Sequence, residues 1–333
     1  MNTVAREAFD RYPSVYPLRD LFVTFCGFEL ENPYILSAAP STDELDIVRH
    51  GLAMGWAGAI LKTTSVAGTR VSLTYPMMTG WRSGDYRLLG MGNIDLISVY
   101  HIDEIVARVK VLKKEFPRKL IAASIMGQNK EAWQTLAATL RKAGVDLIEC
   151  SFSCPQGSMG EKPGAMLAQS VEATERVARW VKEAADTTPV LIKITPLVTD
   201  ITSVAQAAVE AGAHALSLIN TLPAMAVDLG TRRPVLANIV GGLSGPAIRP
   251  VALRLVWQVA RAVGVPVVGL GGIMTARDAL EFLLAGAWAV QVGTASFVDP
   301  MAALKVLEGL ETYFAEHDIP DLDSFVGKLK TNS

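Results

Sequence analysis

Two of the chain's three cysteines lie four residues apart, in a stretch that reads ECSFSCPQG from position 149 to position 157. A closely spaced cysteine pair can bind zinc, but zinc sites normally add a second pair or nearby histidines. The four histidines of this chain are scattered, so we predict no metal site. Cys150 is then interpreted as a small core residue of a strand. Pro155 and the residues after it lift Cys154 off that strand, where it is either a passive loop thiol or a reactive group.

Two lysines interrupt strongly apolar stretches, Lys62 after AGAIL and Lys193 within VLIKIT. A lysine at a strand edge can extend its ammonium group into water, which is the plainer interpretation. A buried ammonium is costly unless it meets a negative or electron-rich partner. Two such lysines near strand ends therefore indicate a site that binds an anion or an electron-rich ring.

Glycine-rich turns precede helical patterns in three places, as GGLSG at 241–245, GLGGI at 269–273 and the pair Gly293-Thr294. Backbone N–H groups in such turns, at the start of a helix, can bind phosphate. One glycine pair alone is typical of an ordinary turn. Because the three turns come in order after predicted strands, together they favour a phosphate site over plain turns.

These residues lie where short apolar stretches end, and such stretches recur along the chain. Nearly continuous apolarity, rich in branched side chains, is typical of parallel strands that are buried on both faces. The eight predicted strands are Tyr34 to Ala39, Ala57 to Thr63, Leu120 to Met126, Val145 to Ser151, Val190 to Ile194, Ala213 to Asn220, Val265 to Leu270 and Ala287 to Val292.

Segments with apolar residues at helical spacing separate most of these strands. The clear cases are Asp103 to Phe116, Lys130 to Ala143, Val171 to Ala185, Ser203 to Ala211, Pro250 to Val263 and Ala276 to Ala285. This alternation predicts an α/β fold, and eight strands predict a (β/α)8 TIM barrel. A doubly wound open sheet is the alternative.

Further segments complete the predicted barrel. The stretch LFVTFCGFELENP at 21–33 alternates like a short N-terminal hairpin, which would close the bottom of the barrel. Three inserts, 65–100, 152–169 and 222–245, follow strands and would form extended loops at the C-terminal face, where such barrels carry their active sites. No linker is apparent, so we predict a single domain over 1–333, with an N-terminal extension at 1–20 and a C-terminal tail at 316–333.

The composition limits the class of protein. The chain has 333 residues, of which 50% are hydrophobic and 19% are charged, and its formal net charge is −2. This balance argues against nucleic-acid binding, which needs clustered basic residues. No apolar stretch is long enough to span a bilayer, and the first twenty residues do not resemble a secretory signal. We therefore expect a cytoplasmic protein with no disulfide framework and no membrane contact.

Ordered short motifs run along the chain from about Leu21 to Phe325. They are NPYILSAAPST (32–42), ILKTTS (60–65), GNID (92–95), ASIMG (123–127), SFSCPQG (151–157), IKITP (192–196), INT (219–221), GGLSG (241–245), GLGGI (269–273) and VGTA (292–295). In these motifs the chain resembles the flavin-dependent dihydroorotate and dihydropyrimidine dehydrogenases. It is most similar to the FMN-binding catalytic part of dihydropyrimidine dehydrogenase.

The resemblance implies that FMN binds across the barrel mouth. Lys62 and Lys193 would reach the flavin and its ribityl chain. The residues expected to line the flavin are Ala38, Ala39 and Thr63, and those expected to hold its phosphate are Gly245, Gly271, Gly272, Gly293 and Thr294. The residues expected to contact the substrate ring are Asn93, Ser151, Gln156, Asn220 and Thr221.

Cys154 matches the acid/base residue of the family. The implied reaction interconverts the CH–CH and C=C forms of a dihydropyrimidine-like cyclic amide. Flavin N5 would exchange the hydride on one ring carbon, and Cys154 would exchange the proton on the carbon next to the carbonyl. A thiol with an ordinary pKa of about 8.5 can serve in either direction once its surroundings tune it.

Ser151 and Gln156 depart from the family pattern, which usually has Asn at the first position and Asn or His at the second. Asparagine offers a donor and an acceptor to the imide edge of a pyrimidine, whereas the serine hydroxyl is shorter and has one donor. A missing buried hydrogen bond costs roughly 1–3 kcal/mol. Ser151 therefore suggests a shifted or bulkier ring, or a ring without the full uracil edge.

The route of the electrons is a second departure. Close relatives often carry clustered cysteines for iron–sulfur centres, and this chain has no such cluster. The resemblance then implies an electron-transfer partner protein, a soluble carrier or dioxygen, and we expect a homodimer. Three alternatives stay open: a dihydroorotate dehydrogenase, an FMN-holding redox subunit without its own ring substrate, and a flavin-free barrel enzyme acting on a sugar phosphate.

Overall fold

Sixteen strands occur in the residues that the computed structural model describes, which are 21–71, 73–154, 166–299 and 301–331. In chain order they are β1 (Val23–Phe25), β2 (Phe28–Leu30), β3 (Tyr34–Leu36), β4 (Gly58–Thr64), β5 (Met78–Arg82), β6 (Leu88–Asn93), β7 (Leu120–Ile125), β8 (Leu147–Ser151), β9 (Val190–Ile194), β10 (Ala215–Leu218), β11 (Leu222–Ala224), β12 (Val227–Asp228), β13 (Arg233–Pro234), β14 (Gly241–Ser244), β15 (Val267–Leu270) and β16 (Ala289–Val292). Eight of them, all parallel, close into a barrel in the order β3-β4-β7-β8-β9-β10-β15-β16. The predicted (β/α)8 barrel is confirmed, and the open-sheet alternative is wrong because β16 pairs with β3.

Helices connect most of the barrel strands. They are α1 (Leu45–Ala53), α2 (Ile102–Glu115), α3 (Lys130–Ala143), α4 (Val171–Ala185), α5 (Ile201–Glu210), α6 (Arg249–Ala262), α7 (Ala276–Leu284), α8 (Thr294–Val298) and α9 (Ala302–Glu316). Side chains of Asn129, Ser170, Asp200 and Thr275 cap the starts of α3, α4, α5 and α7 by accepting from free backbone N–H groups. Within the described ranges, no helix is long and apolar enough to cross a membrane.

The predicted hairpin precedes the barrel. β1 and β2 pair antiparallel, with Val23 opposite Leu30. Cys26 and Gly27 connect them with φ angles of 51° and 81°, and positive φ at both central residues suits the twist of a tight hairpin. Phe25 and Leu30 are fully buried in the continuous apolar core, which anchors the hairpin to the barrel.

Two barrel strands end at least two residues earlier than the apolar pattern predicts. β3 stops at Leu36 because the chain turns into a short 3-10 helix at Pro40–Thr42, where the Ala39 N–H donates to Thr42 Oγ1. β10 stops at Leu218, two residues before Asn220. The residues beyond these two ends are therefore in loops, where their side chains and backbone can face a ligand.

Polar side chains interrupt the apolar filling of the barrel. Every residue of β4, β7, β8, β9, β10, β15 and β16 is buried. Among these buried residues are Lys62, Glu149, Lys193, Ser217 and Gln291. Glu149 lies in the middle of its strand and the other four lie toward the carboxyl ends, where barrels of this type carry their active sites.

A four-stranded antiparallel sheet, here called the mouth sheet, lies at the carboxyl end of the barrel in the order β11-β14-β6-β5. It joins two of the predicted inserts, 65–100 and 222–245, through pairing of Asn93 with Gly242. Sequence patterns did not predict this sheet. Its effect is to hold Asn93 at the barrel mouth.

Candidate active site

A cavity of about 420 Å³ opens at the carboxyl end of the barrel, beside the mouth sheet. This volume lies in the range of roughly 300–1,000 Å³ that is typical of small-molecule and cofactor sites. The predicted site residues that line it are Ala38, Ala39, Lys62, Thr63, Asn93, Ser151, Cys154, Lys193, Asn220, Thr221, Gly245, Gly271, Gly272, Gly293 and Thr294. Gln156, the remaining predicted site residue, lies outside the described residues.

Cys154 lies in the cavity wall just beyond the end of β8 and is 8% exposed. Ser151 Oγ donates a hydrogen bond of 3.0 Å to Cys154 Sγ. Burial raises the pKa of the Cys154 thiol; the bond from Ser151 and the charge of Lys193 lower this pKa, and the carboxylates of Glu149 and Asp95 raise it. The net direction is upward, so the thiol keeps its proton near neutral pH.

The other two cysteines lie away from the cavity lining. Cys150 is fully buried within β8, and burial raises the pKa of its thiol. Cys26 lies in the β1–β2 turn, where burial raises its pKa to about 12. Across the described ranges, no group of three or more His, Cys, Asp or Glu residues is arranged to hold a metal ion.

Lys62 enters the cavity from β4 between two carboxylates. Its Nζ donates to Asp95 Oδ1 at 2.7 Å and lies 3.6 Å from Asp43 Oδ2. The Lys62, Asp95 and Asp43 side chains are 7%, 9% and 13% exposed. Asp43 also accepts from the hydroxyl of Ser98, and Arg108 donates to its backbone carbonyl. The charge of Lys62 is thus compensated inside the protein.

Lys193 enters the same cavity from β9 and is 6% exposed. It lies in register between Ser151 of β8 and Ser217 of β10. No ion pair or hydrogen bond to its ammonium group occurs among the described residues. A buried ammonium without a direct partner is costly, which indicates a site prepared for an electron-rich or negative ligand group.

Two asparagine side chains reach the cavity from different elements. Asn220 Nδ2 donates to Ser153 Oγ at 2.9 Å, and its Oδ1 accepts from the Thr221 N–H at 2.8 Å. These bonds fix the orientation of the Asn220 amide. Among the described residues, the Asn93 side chain makes one long contact of 3.5 Å with the carbonyl of Gly242, which leaves most of its hydrogen-bonding capacity for a ligand.

A glycine cradle, defined as Gly245, Gly271, Gly272, Gly293 and Thr294, lines another part of the cavity. Gly272 has a φ of 78°, and a Cβ there would lie 2.8 Å from the carbonyl oxygen of Gly245. A Cβ on Gly293 would lie 2.9 Å from Ser37 Oγ. The missing side chains leave backbone N–H groups accessible near helix starts, an arrangement that suits a phosphate group.

Sequence reasoning missed several polar residues of this site. Asp95 lies within the GNID motif, and the need of buried Lys62 for a counter-ion could have pointed to it. No sequence pattern pointed to Asp43, because its approach to Lys62 depends on the fold. Glu149 and Gln291, which bond to each other below the cavity, could have been found as polar residues within apolar strands.

Comparisons with known proteins agree with this fold. The family model described as dihydroorotate dehydrogenase matches residues 20–314. A dihydroorotate dehydrogenase B (NAD(+)) catalytic subunit of Geobacter sp. (strain M21) is 41% identical over 318 residues, which cover 93% of this chain and 98% of the relative. Proteins of the same description from Geotalea uraniireducens and Alkaliphilus oremlandii are 40% identical over 319 residues (94% and 99% covered) and 47% identical over 216 residues (65% and 70% covered).

These matches confirm the coarser prediction from the sequence motifs. They do not test a closer kinship with dihydropyrimidine dehydrogenase, which stays a prediction. The match to the family model covers most of the described barrel, and the Geobacter relative is similar along nearly its whole length. The chain therefore belongs to the dihydroorotate dehydrogenase family, a family of oxidoreductases.

Proposed function

We propose that the chain is an FMN-dependent oxidoreductase that interconverts the CH–CH and C=C forms of a cyclic amide. One observation carries this proposal. The buried thiol of Cys154 and the buried ammonium of Lys193, which has no ion pair or hydrogen bond among the described residues, line one cavity with the glycine cradle. Membership of the dihydroorotate dehydrogenase family supports the same class of reaction.

The residues of the cavity fit FMN. The glycine cradle offers backbone N–H groups in a space that side chains would fill, which suits the phosphate. Lys193 offers an ammonium group without a direct partner among the described residues, which suits an electron-rich edge of the flavin. Ala38, Ala39 and Thr63 would line the ring system, because all three line the cavity next to strand ends.

Bound FMN would supply the exchange of a hydride with one ring carbon. Cys154 would hold or release a proton at Sγ, next to the carbon beside the ring carbonyl. Ser151 orients that sulfur through its 3.0 Å hydrogen bond. Because Cys154 is buried, few water molecules can reach the thiol and compete for the proton.

The charges around Lys62 favour an uncharged ring. A carboxylate on the ring, as in dihydroorotate, needs a cation that is free to pair with it. In this proposal the ammonium of Lys193 contacts the flavin, and Lys62, the other lysine that lines the cavity, already lies between Asp95 and Asp43. We therefore propose a neutral, dihydropyrimidine-like ring as the substrate. Dihydroorotate is the second candidate, because relatives about 40% identical over nearly the whole chain are named for it.

The experiment that tests the proposed function starts from the colour of the purified chain. We expect a yellow protein with flavin absorbance bands. The flavin is reduced without oxygen, and unsaturated cyclic amides, including uracil, thymine and orotate, are then added one at a time. The ring that reoxidises the flavin identifies the substrate. A colourless protein that cannot be reconstituted with FMN would contradict the proposal.

Replacing Asp95 with asparagine should shift the ring preference toward a carboxylate-bearing substrate. The change keeps the side-chain shape but removes one of the two negative charges on Lys62. We expect kcat/KM for dihydroorotate, relative to dihydrouracil, to rise by roughly tenfold, the equivalent of about 1.4 kcal/mol. Steady-state kinetics with both rings and an artificial electron acceptor measure this ratio.

Asp46→Asn is the matched control for this change. Asp46 is a surface carboxylate, 91% exposed and paired with Arg49, so its replacement should leave the ratio unchanged. The flavin content of each variant is measured from its absorbance, which separates ring binding from cofactor loss. If Asp95→Asn kept its flavin but did not change the ratio of kcat/KM for dihydroorotate to that for dihydrouracil, the charges around Lys62 would not favour a neutral ring.

We also propose that the chain passes electrons to a partner protein and forms a homodimer. The support for a partner is that the similar proteins are named as catalytic subunits, a description that implies another subunit in those proteins. The proposal for this chain is that the FMN site exchanges electrons with such a partner. The homodimer is the default symmetric state of an oligomeric enzyme.

A further inference from the structure

A polar cluster lies inside the barrel directly below the cavity. Glu149 of β8 is fully buried, two residues before Ser151 on the same strand, so both side chains face the barrel interior. Glu149 Oε2 accepts from Ser217 Oγ of β10 at 3.4 Å and from Gln291 Nε2 of β16 at 3.2 Å. Gln291 also lines the cavity. A carboxylate is thus held by two other strands in the floor of the site.

The cluster is incompletely satisfied. The second carboxylate oxygen of Glu149 and the amide oxygen of Gln291 have no hydrogen-bond partner among the described residues, although both are buried. Both bonds that Glu149 Oε2 accepts come from neutral donors. A buried carboxylate in such surroundings is costly unless a positive charge lies nearby.

Lys193 is the cation that shares this part of the barrel. The Ser217–Glu149 bond joins β10 to β8, and β9 lies between these two strands. The bond therefore crosses β9 on the interior side of the barrel. Lys193 lies on β9 in register with Ser217 and with Ser151. The Glu149 carboxylate is consequently held beside β9, close to the level of the Lys193 side chain. Lys62, the other lysine of the cavity, is already paired with its own carboxylates.

We propose that Glu149 is a positioning residue, which acts as the buried counter-ion of Lys193 and limits how strongly Lys193 stabilises the thiolate of Cys154. The two charged groups make no direct ion pair in the described residues, so they interact across the cluster. Lys193 thereby stays free to contact a ligand, while its charge is offset from below. The proposal rests on the proposed function only for the role of Cys154 in proton transfer.

The charges around Cys154 support this arrangement. The groups that act on its thiol are Lys193 on β9, Glu149 on β8 and Asp95 after β6, and Asp95 is itself paired with Lys62. Lys193 lowers the pKa of Cys154, and Glu149 raises it. Neighbouring strands β8 and β9 thus carry opposite charges that act on the same thiol.

Glu149→Gln tests the proposal, because it removes the charge and keeps the size of the side chain. The rate of Cys154 alkylation by iodoacetamide is measured against pH on the full chain as purified, without ring substrate. Mass spectrometry locates the label. We expect the alkylation profile to move to lower pH and the rate below its plateau to rise several-fold, since losing a nearby negative charge favours the thiolate. Cys26, with its pKa of about 12, should react little.

Two controls separate charge from packing. Ser217→Ala removes a neutral partner of Glu149 but keeps the charge of Glu149, so it should move the pH of half-maximal alkylation by much less than Glu149→Gln does. Glu131→Gln removes an exposed carboxylate on α3 and should have no effect. A profile that does not move in folded Glu149→Gln, or that moves equally in Ser217→Ala, would overturn the proposal.

Two further variants keep the test decisive if Glu149→Gln does not fold. Glu149→Asp keeps the charge but withdraws it by one methylene, so the profile should move in the same direction by a smaller amount. Lys193→Gln should move the profile to higher pH, because it removes the positive charge that favours the thiolate. The absence of both shifts would overturn the proposal. Since no step requires turnover, the result is independent of whether the proposed reaction is correct.

Discussion

Replacing Cys154 with alanine is expected to lower turnover of the ring substrate by roughly 10²–10⁴-fold, the usual contribution of a positioned proton-transfer group. The methyl group of alanine cannot hold or release a proton. The bound flavin should remain, because Cys154 lies beyond the end of β8 and is not part of the glycine cradle. Stopped-flow measurement of flavin reduction by the ring substrate, together with the flavin-to-protein ratio, checks both parts.

Cys154→Ser is the graded control. A hydroxyl exchanges a proton poorly at this site, so we expect activity between that of the alanine variant and that of the unmodified chain. Ser151 can still donate to an oxygen at this position, which keeps the side chain oriented. If the alanine variant lost flavin to the same extent as it lost turnover, Cys154 would be a structural residue. Unchanged turnover in the alanine variant would mean that another group exchanges the proton.

The pH dependence of the two directions should be opposite. Oxidation of the saturated ring needs the thiolate as a base, and reduction of the unsaturated ring needs the thiol as an acid. Burial raises the pKa of Cys154 above its ordinary value, so the thiol form persists at neutral pH. We expect kcat/KM for oxidation to rise with pH above neutrality and kcat/KM for reduction to fall over the same range. A flat profile in both directions would contradict the assignment of Cys154.

Replacing Gly272 with alanine should disrupt cofactor binding. The residue has a φ of 78°, which is unfavourable for alanine, and its new Cβ would lie 2.8 Å from the Gly245 carbonyl oxygen and 2.9 Å from the Arg249 nitrogen. Both contacts are with backbone atoms next to the cradle, so relief requires the turn to move. Strain of about 1–3 kcal/mol predicts a loss of FMN affinity of roughly 5–150-fold. Flavin fluorescence titration of the apoprotein measures it.

Gly144→Ala provides the comparison for backbone strain alone. Gly144 caps the end of α3 with a φ of 82°, but a Cβ there would have no neighbour within 4 Å. We expect this variant to lose some thermal stability and to keep its FMN affinity. If Gly272→Ala bound FMN as tightly as Gly144→Ala, the glycine cradle would not be the phosphate site.

The barrel could be predicted from the sequence because its strands are coded locally. Stretches such as Val190–Ile194 are apolar apart from Lys193, and a glycine such as Gly144 marks the end of a helix. The mouth sheet could not be predicted in this way. Gly241–Ser244 has little strand propensity, and it becomes a strand by pairing with Leu88–Asn93, about 150 residues earlier in the chain.

The residues of the candidate site also fall into two groups, those that the local sequence predicts and those that only the fold brings together. Lys62 and Cys154 were predicted because each stands out in its local stretch, as a charge after an apolar run and as a thiol beside a proline. The partners of Lys62 were not predicted, because Asp43 and Asp95 approach it only through the fold. Family motifs supplied the remaining placements, and the structure brings all those within the described residues to one cavity.

The pairing of Asn93 with Gly242 in the mouth sheet has a consequence for protein engineering. Chimaeras that import substrate-facing loops from a relative are commonly built one segment at a time. Here the first insert supplies β5 and β6, and the later insert supplies β11 and β14 of the same sheet. A donor segment for either insert would meet a foreign partner strand. Grafts between relatives should therefore exchange 78–93 and 222–244 together, as one transplanted unit.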